Sequence, residues 1–159
     1  MASAATSGKT VYTTPSETEI LATRVFDAPR ELVFDAHTKP EHLRKWMVGP
    51  EGFTMAACEV DLRPGGKLRV VWQKPGDSEF EITGVYKEVK RPGRVVYTEQ
   101  WGEGWPETTH IYEFLENEGT TTMKWTTQFP SKEDRDKATG AIDGMDPSYD
   151  RLDAYLASV

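Results

Sequence analysis

The chain has 159 residues, which suits one domain, and a formal net charge of −7, which argues against non-specific nucleic-acid binding. No apolar run approaches the about 20 residues of a bilayer span, so membrane insertion is not expected. The single cysteine, Cys58, excludes an intrachain disulfide and suits a reducing, cytoplasmic setting.

Residues 1–17 are small and polar and read as a flexible N-terminal segment without the apolar core of a secretory signal. Lys9–Thr14 inside it has the composition of a short edge strand. Residues 18–159 make the domain. Glu19–Asp27 alternates polar and apolar, as a half-buried strand does. Pro29 then suits a first helical turn, and Leu32, Val33 and Ala36 fall on one helical face. Thr38-Lys39-Pro40-Glu41 has the spacing of a capping box and opens a second helix. Arg44 and Lys45 suit its last turn, and Gly49-Pro50 stops it. This helix pair is the only break between the first strand and those that follow. It is expected to close one end of the domain, and Leu43 and Trp46 decide its role: pointing under the last helix they make it a lid, packed on the sheet's edge or in solvent they leave it a plug or a connector.

From Gly52 the period becomes two. Arg63-Pro64-Gly65, Lys74-Pro75-Gly76 and Arg91-Pro92-Gly93 punctuate it. Proline presets the first central position of a turn and glycine supplies positive φ at the second. Such short turns join antiparallel neighbours, because parallel ones need long crossovers. Strands near 53–63, 67–73, 79–90, 94–101, 107–116 and 120–129 therefore form a six-strand meander. A three-residue loop at Pro64-Gly65-Gly66 sets Leu62 against Leu68, Val60 against Val70, Cys58 against Trp72 and Asp61 against Arg69. That register keeps apolar with apolar and charge with opposite charge. Beyond the next turn, Trp72 meets Phe80, Val70 meets Ile82 and Leu68 meets Gly84. Across Asn117-Glu118-Gly119, Tyr112 meets Met123 and His110 meets Trp125.

From Ser131, a candidate N-cap, the helical period returns. Ala138, Ala141, Ile142, Met145, Tyr149, Leu152, Leu156 and Val159 form one apolar stripe. The expectation is one long helix kinked at Pro147. The alternative is that Gly144 ends one helix and Asp146 caps the next. The class is α+β, a curved antiparallel sheet around a long C-terminal helix.

The ordered motifs resemble a known family. They are Phe26-Asp27-Ala28-Pro29, Val33-Phe34-Asp35-Ala36, Trp46 with Gly49-Pro50, Phe53-Thr54-Met55, Cys58 through Gly66, Gly144-Met145 and Asp150-Arg151-Leu152. The chain is similar to the SRPBCC (START-like, birch-pollen-allergen-like) superfamily over residues 19–158. Within it, the likeness is to bacterial homologues of the heat-shock protein 90 ATPase activator domain. The resemblance implies a helix-grip fold with a hydrophobic cavity and, by analogy, ligand or lipid binding. Some members of the superfamily are cyclases, dehydratases or hydrolases. Asp146-Pro147-Ser148 departs from the family's uninterrupted last helix.

Few motifs carry covalent chemistry. His37 and His42 are five apart across a helix break, which is not a zinc-binding spacing, so no metal is expected. No phosphate loop and no G-x-S-x-G are present, and no cofactor is implied. Cys58 on an inward strand face reads as an inert packed thiol. Glu59 and Asp61 share one face, turned outward. Glu99 reaches inward in one register after Pro92-Gly93 and outward in the other.

The aromatics carry the better signal. The candidate ligand site is Trp46, Trp72, Phe80, Ile82, Tyr86, Trp101, His110, Tyr112, Trp125, Met145 and Tyr149, under the last helix, with His110 and the tyrosines as polar tips. An apolar cavity with a few polar groups is how small-molecule sites are built. The expected function is non-enzymatic binding of an apolar or aromatic small molecule or lipid. The alternatives are an enzyme using His110 with a pocket Tyr or Glu, and a chaperone-activator-like protein-interaction module. A homodimer is compatible with the sequence.

Overall fold

In a computed structural model, period-two alternation becomes one eight-stranded antiparallel sheet. The structure describes residues 9–48, 52–76, 79–102, 104–143 and 146–159. The edge strand β1 (Thr10–Thr13) precedes β2 (Glu19–Phe26). Then come α1 (Arg30–Thr38) and α2 (Pro40–Trp46). The meander is β3 (Thr54–Val60), β4 (Lys67–Gln73), β5 (Glu79–Lys90), β6 (Arg94–Gln100), β7 (Thr108–Asn117) and β8 (Thr120–Gln128). The helices α3 (Lys132–Asp143) and α4 (Asp146–Ser158) follow. In space the order is β1-β2-β8-β7-β6-β5-β4-β3. The helix pair carries the chain from β2 to the far edge, so the last strand returns to pair with β2.

The face of the sheet is as its alternation requires. Leu68, Val70, Trp72, Ile82 and Tyr86 are buried, and Val60, Leu62 and Phe80 are half-buried against them. The β4–β5 register is the expected one: Trp72 opposes Phe80, Val70 opposes Ile82 and Leu68 opposes Gly84. A Cβ on Gly84 would lie 2.1 Å from the Thr98 carbonyl oxygen, so the β6 backbone approaches β5 there as only glycine permits.

Two hairpin registers differ from expectation by two residues, which keeps every side chain on its expected face. In β3–β4, Val60 opposes Leu68 and Cys58 opposes Val70. Arg69 faces Glu59, not Asp61. The cause is that Pro64-Gly65-Gly66 does not close the hairpin. Gly65 N–H donates to Tyr86 O and Tyr86 N–H donates to Gly66 O, so the loop docks on β5. Between β7 and β8, Tyr112 opposes Trp125 and His110 opposes Thr127. Glu118 and Gly119 both have positive φ (52° and 83°), which sets the two-residue turn at 118–119, one residue later than the expected register implies. The turn at 91–93 also differs: Arg91-Pro92 is a cis peptide and Gly93 does not have positive φ.

At the helices, Thr38 does not cap α2. It ends α1 and donates its hydroxyl to Phe34 O, while Lys39 takes the N-cap position without a side-chain bond. Gly49-Pro50 lies outside the described residues. Ser131 does cap α3, accepting the Asp134 N–H at 3.1 Å. The single kinked helix is replaced by α3 and α4. Pro147 falls in the first turn of α4, where its missing N–H has no intrahelical partner to lose. Tyr149, Leu152 and Leu156 of α4 are buried, whereas Val159 is exposed. Ala138 of α3 packs partly on the core, and the side chains of 140–146 lie outside the description.

One buried cation fastens α4. Arg24 on β2 is 1% exposed and donates to Asp150 at 2.9 Å and Asp153 at 2.5 Å. Its guanidinium also lies 5.7 Å from the Phe26 ring centroid and 5.8 Å from that of Tyr149.

Candidate functional site

The α1–α2 pair packs its inner face against the core and α4. Leu43 and Trp46 are both buried, and Trp46 points under α4, stacked on Tyr149 with centroids 5.6 Å apart. Its indole N–H donates to Ala36 O at 2.8 Å, which fixes the ring between the two helices. Below it the rings continue across the sheet. Tyr112 stacks on Trp125 at 5.5 Å and 4°, and Trp125 meets the Tyr149 ring edge-on at 6.2 Å.

The strand alternation also brings polar tips inward. His110 on β7 accepts the Trp125 indole N–H at Nδ1, 3.0 Å away. Nδ1 is therefore unprotonated, and Nε2 carries the hydrogen that faces Thr108 Oγ1 at 2.9 Å and Glu99 Oε1 at 3.3 Å. Both nitrogens of His110 are thus engaged by protein. Glu99 faces inward, opposite Gly84, and also accepts the Trp101 indole N–H at 2.6 Å. Burial pushes its carboxyl up, but the His110 ring and the Trp101 N–H outweigh that, and its pKa lies below the ordinary carboxylate value. Tyr97, Tyr112 and Tyr149 have pKa values well above the usual phenol, chiefly through burial.

The residues expected at the site therefore divide into two groups. Trp46, His110, Tyr112, Trp125 and Tyr149 come together beneath α4, with Ile82 and Tyr86 buried on the same sheet face. Trp72, Phe80 and Trp101 form a separate ladder, with centroids 5.0 and 6.0 Å apart. Trp72 donates to Met47 O just beyond α2, and the ladder ends outside, where Trp101 is 41% and Trp105 57% exposed. Trp101 thus sits at the surface and touches the interior group through Glu99, whose Oε1 it shares with His110. Met145 lies outside the described residues. Among the described residues, two open depressions lie on the surface. One is lined by Glu59, Lys67, Arg69 and Gly84, the other by Arg30, Glu31, Leu115 and Glu116, and neither lies under α4.

Sequence reasoning weighed His37 only as half of a zinc pair. In the structure it stands among Phe26, Trp46, Tyr112, Phe114 and Tyr149. The signal was available, since 33, 36 and 37 share a helical face. Burial lowers its pKa to about 4. Cys58 is buried with its thiol pKa raised, chiefly by that burial. Glu59 turns outward to Arg69 at 2.9 Å, and Asp61 pairs with Arg63. Among the described residues, no group of His, Cys, Asp and Glu is arranged to hold a metal ion. No described helix is long and apolar enough to cross a membrane.

Among the described residues, three buried side-chain atoms have no hydrogen-bond partner: Arg24 Nε, His37 Nε2 and Tyr149 Oη. The Tyr112 hydroxyl stands near enough to Tyr149 to influence its ionisation, without hydrogen-bond geometry between them.

The same architecture is found in solved structures. A protein from Rhodobacter sphaeroides superposes with a TM-score of 0.88 at 27% identity, covering 95% of this chain and 100% of that one. One from Nitrosomonas europaea gives 0.77 at 25% identity, covering 89% and 96%. An HSP90 activator from Plasmodium falciparum gives 0.55 at 24% identity, covering 70% and 72%, a likeness of fold alone. No functionally curated protein matches the sequence. Residues 27–157 match the family described as activator of Hsp90 ATPase homolog 1-like protein. With that match spanning most of the chain, and with the sheet, helix pair and closing helix in place, the protein belongs to this family, within the SRPBCC/START-like superfamily.

Proposed function

We propose that this protein binds an apolar or aromatic small molecule, or a lipid, between the sheet and α4, without transforming it. The observation that carries this reading is the nature of the interior. The rings under α4 bear polar tips, and two of those tips, on His37 and Tyr149, are buried without partners. A core selected only for packing would place phenylalanine there, because an unsatisfied buried polar group costs about 1–3 kcal/mol. The rings touch one another, so a ligand enters by displacing α4 and the helix pair from the sheet. The test is calorimetric titration and thermal unfolding with fatty acids and bicyclic aromatics. Saturable binding that raises the melting temperature is expected; no shift with any of them overturns the reading.

A second reading rests on a different observation. Trp101 and Trp105 are large, exposed and adjacent, with centroids 6.3 Å apart, and exposed apolar patches mark docking surfaces. The family's chaperone activators suggest the partner class. Added to a heat-shock protein 90 ATPase assay, the chain is expected to raise turnover on this reading, and Trp101→Ala with Trp105→Ala to abolish the effect. Unchanged turnover removes it.

A further inference from the structure

We propose that His37 Nε2 and Tyr149 Oη are the two halves of one polar anchor, and that the group they hold is a hydroxyl on an otherwise apolar aromatic molecule. This rests on the interior-binding reading and specifies its ligand class.

The protonation of each half follows from its surroundings. His37 Nδ1 lies 2.8 Å from Val33 O. A carbonyl oxygen only accepts, so Nδ1 carries the hydrogen. Burial keeps the ring neutral at ordinary pH, and Nε2 is left as a bare lone pair with no donor facing it. Tyr149, on α4, packs beside His37 with ring centroids 6.1 Å apart and the planes tilted by 39°. Its hydroxyl keeps its proton, since burial raises its pKa well above the usual phenol. One ring therefore offers an acceptor and the other a hydroxyl donor, and neither is satisfied among the described residues.

Most ligand groups satisfy only one of the two. A ketone, ether or carboxylate accepts from Tyr149 but sets its own lone pairs against His37 Nε2. An ammonium donates to both, but it would bring a positive charge beside the Arg24 guanidinium, which stands 5.8 Å from the Tyr149 ring. A hydroxyl donates its hydrogen to Nε2 and accepts the Tyr149 hydrogen on its oxygen, so one atom closes both bonds. A phenol or an alcohol on a ring system meets the aromatic walls as well. Water shares this hydrogen-bonding chemistry, and the test separates the two.

The experiment is isothermal titration of the full chain with 2-naphthol and with 2-methoxynaphthalene, which share a ring system but differ in the ability to donate. The ether is the more apolar, so burial alone favours it. We expect 2-naphthol to bind at least about tenfold tighter. The preference should shrink to within about twofold in Tyr149→Phe, which keeps the ring, and in His37→Phe. Without probe, Tyr149→Phe should melt no lower than the parent, because its hydroxyl has no partner to lose. If both probes bind and the ether binds as well or better, the hydroxyl anchor is overturned while the interior site stands. If neither binds, the interior reading falls with it. A clear fall in the melting temperature of Tyr149→Phe also overturns the anchor, since the hydroxyl is then held by a buried water only.

Discussion

Equal chemistry at two positions has unequal consequence, as Trp46 and Trp101 show. Trp46 is fully buried, stacked on Tyr149 and bonded to Ala36 O. Trp101 lies on the outer ladder, 41% exposed. Trp46→Ala is expected to cost about 4 kcal/mol by denaturant unfolding, as large aromatic deletions do. Trp101→Ala should cost less, about 1–2 kcal/mol, most of it from the lost N–H bond to the Glu99 carboxylate. The sequence marks both as large aromatics on inward-facing positions. It does not say where the inward face ends, because that depends on how far the helix pair reaches along the sheet. The same limit applies to His37. Its helical face is legible, but its unpartnered nitrogen follows from the Val33 carbonyl and from rings brought from α4 and the sheet.

Two elements depend on close approaches that single substitutions would break. Gly84→Ala would drive its Cβ against the Thr98 carbonyl oxygen, which is backbone and cannot rotate away. A loss of about 3 kcal/mol or more is expected in denaturant unfolding. The docking of α4 depends on Arg24, with Asp150 and Asp153 as partners. Arg24→Ala should cost about 3 kcal/mol, because it removes a buried cation and leaves its cavity. Arg24→Met should recover much of that, as apolar replacements of buried ion pairs often do. Hydrogen exchange of the α4 amides reports whether the loss is local to that helix. The hairpin registers sit at this scale too. Alternation gives the correct face in these two hairpins, since slips of two conserve it, but leaves β6 open and does not foresee the buried Val71. The slip itself is decided by the Gly65–Tyr86 contact in one hairpin and by positive φ at Glu118 in the other.

For the whole molecule, pH acts through the buried groups. His37 titrates near 6.5 when unfolded and at about 4 when folded. The unfolded chain therefore binds the proton more readily. The stability contributed by neutral His37 is full above about pH 6.5 and is lost as pH falls towards 4, by about 3 kcal/mol in all. Glu99 adds a loss in the same direction at lower pH, because its folded pKa is below the ordinary carboxylate value. Urea midpoints measured from pH 7 to 4.5 should fall in the parent, with a shallower fall in His37→Phe. An identical slope in both would place the acid sensitivity elsewhere. By itself the sequence determined the strand order, the inward face of most strands, the edge strand, the helix pair and the family, because these follow from local periodicity, turn chemistry and ordered motifs. The tertiary structure alone decided that Trp101 stands outside and that His37 Nε2 and Tyr149 Oη are left without hydrogen-bond partners. Those outcomes depend on contacts between residues far apart in the chain, and no local pattern records which partner a buried polar atom will find.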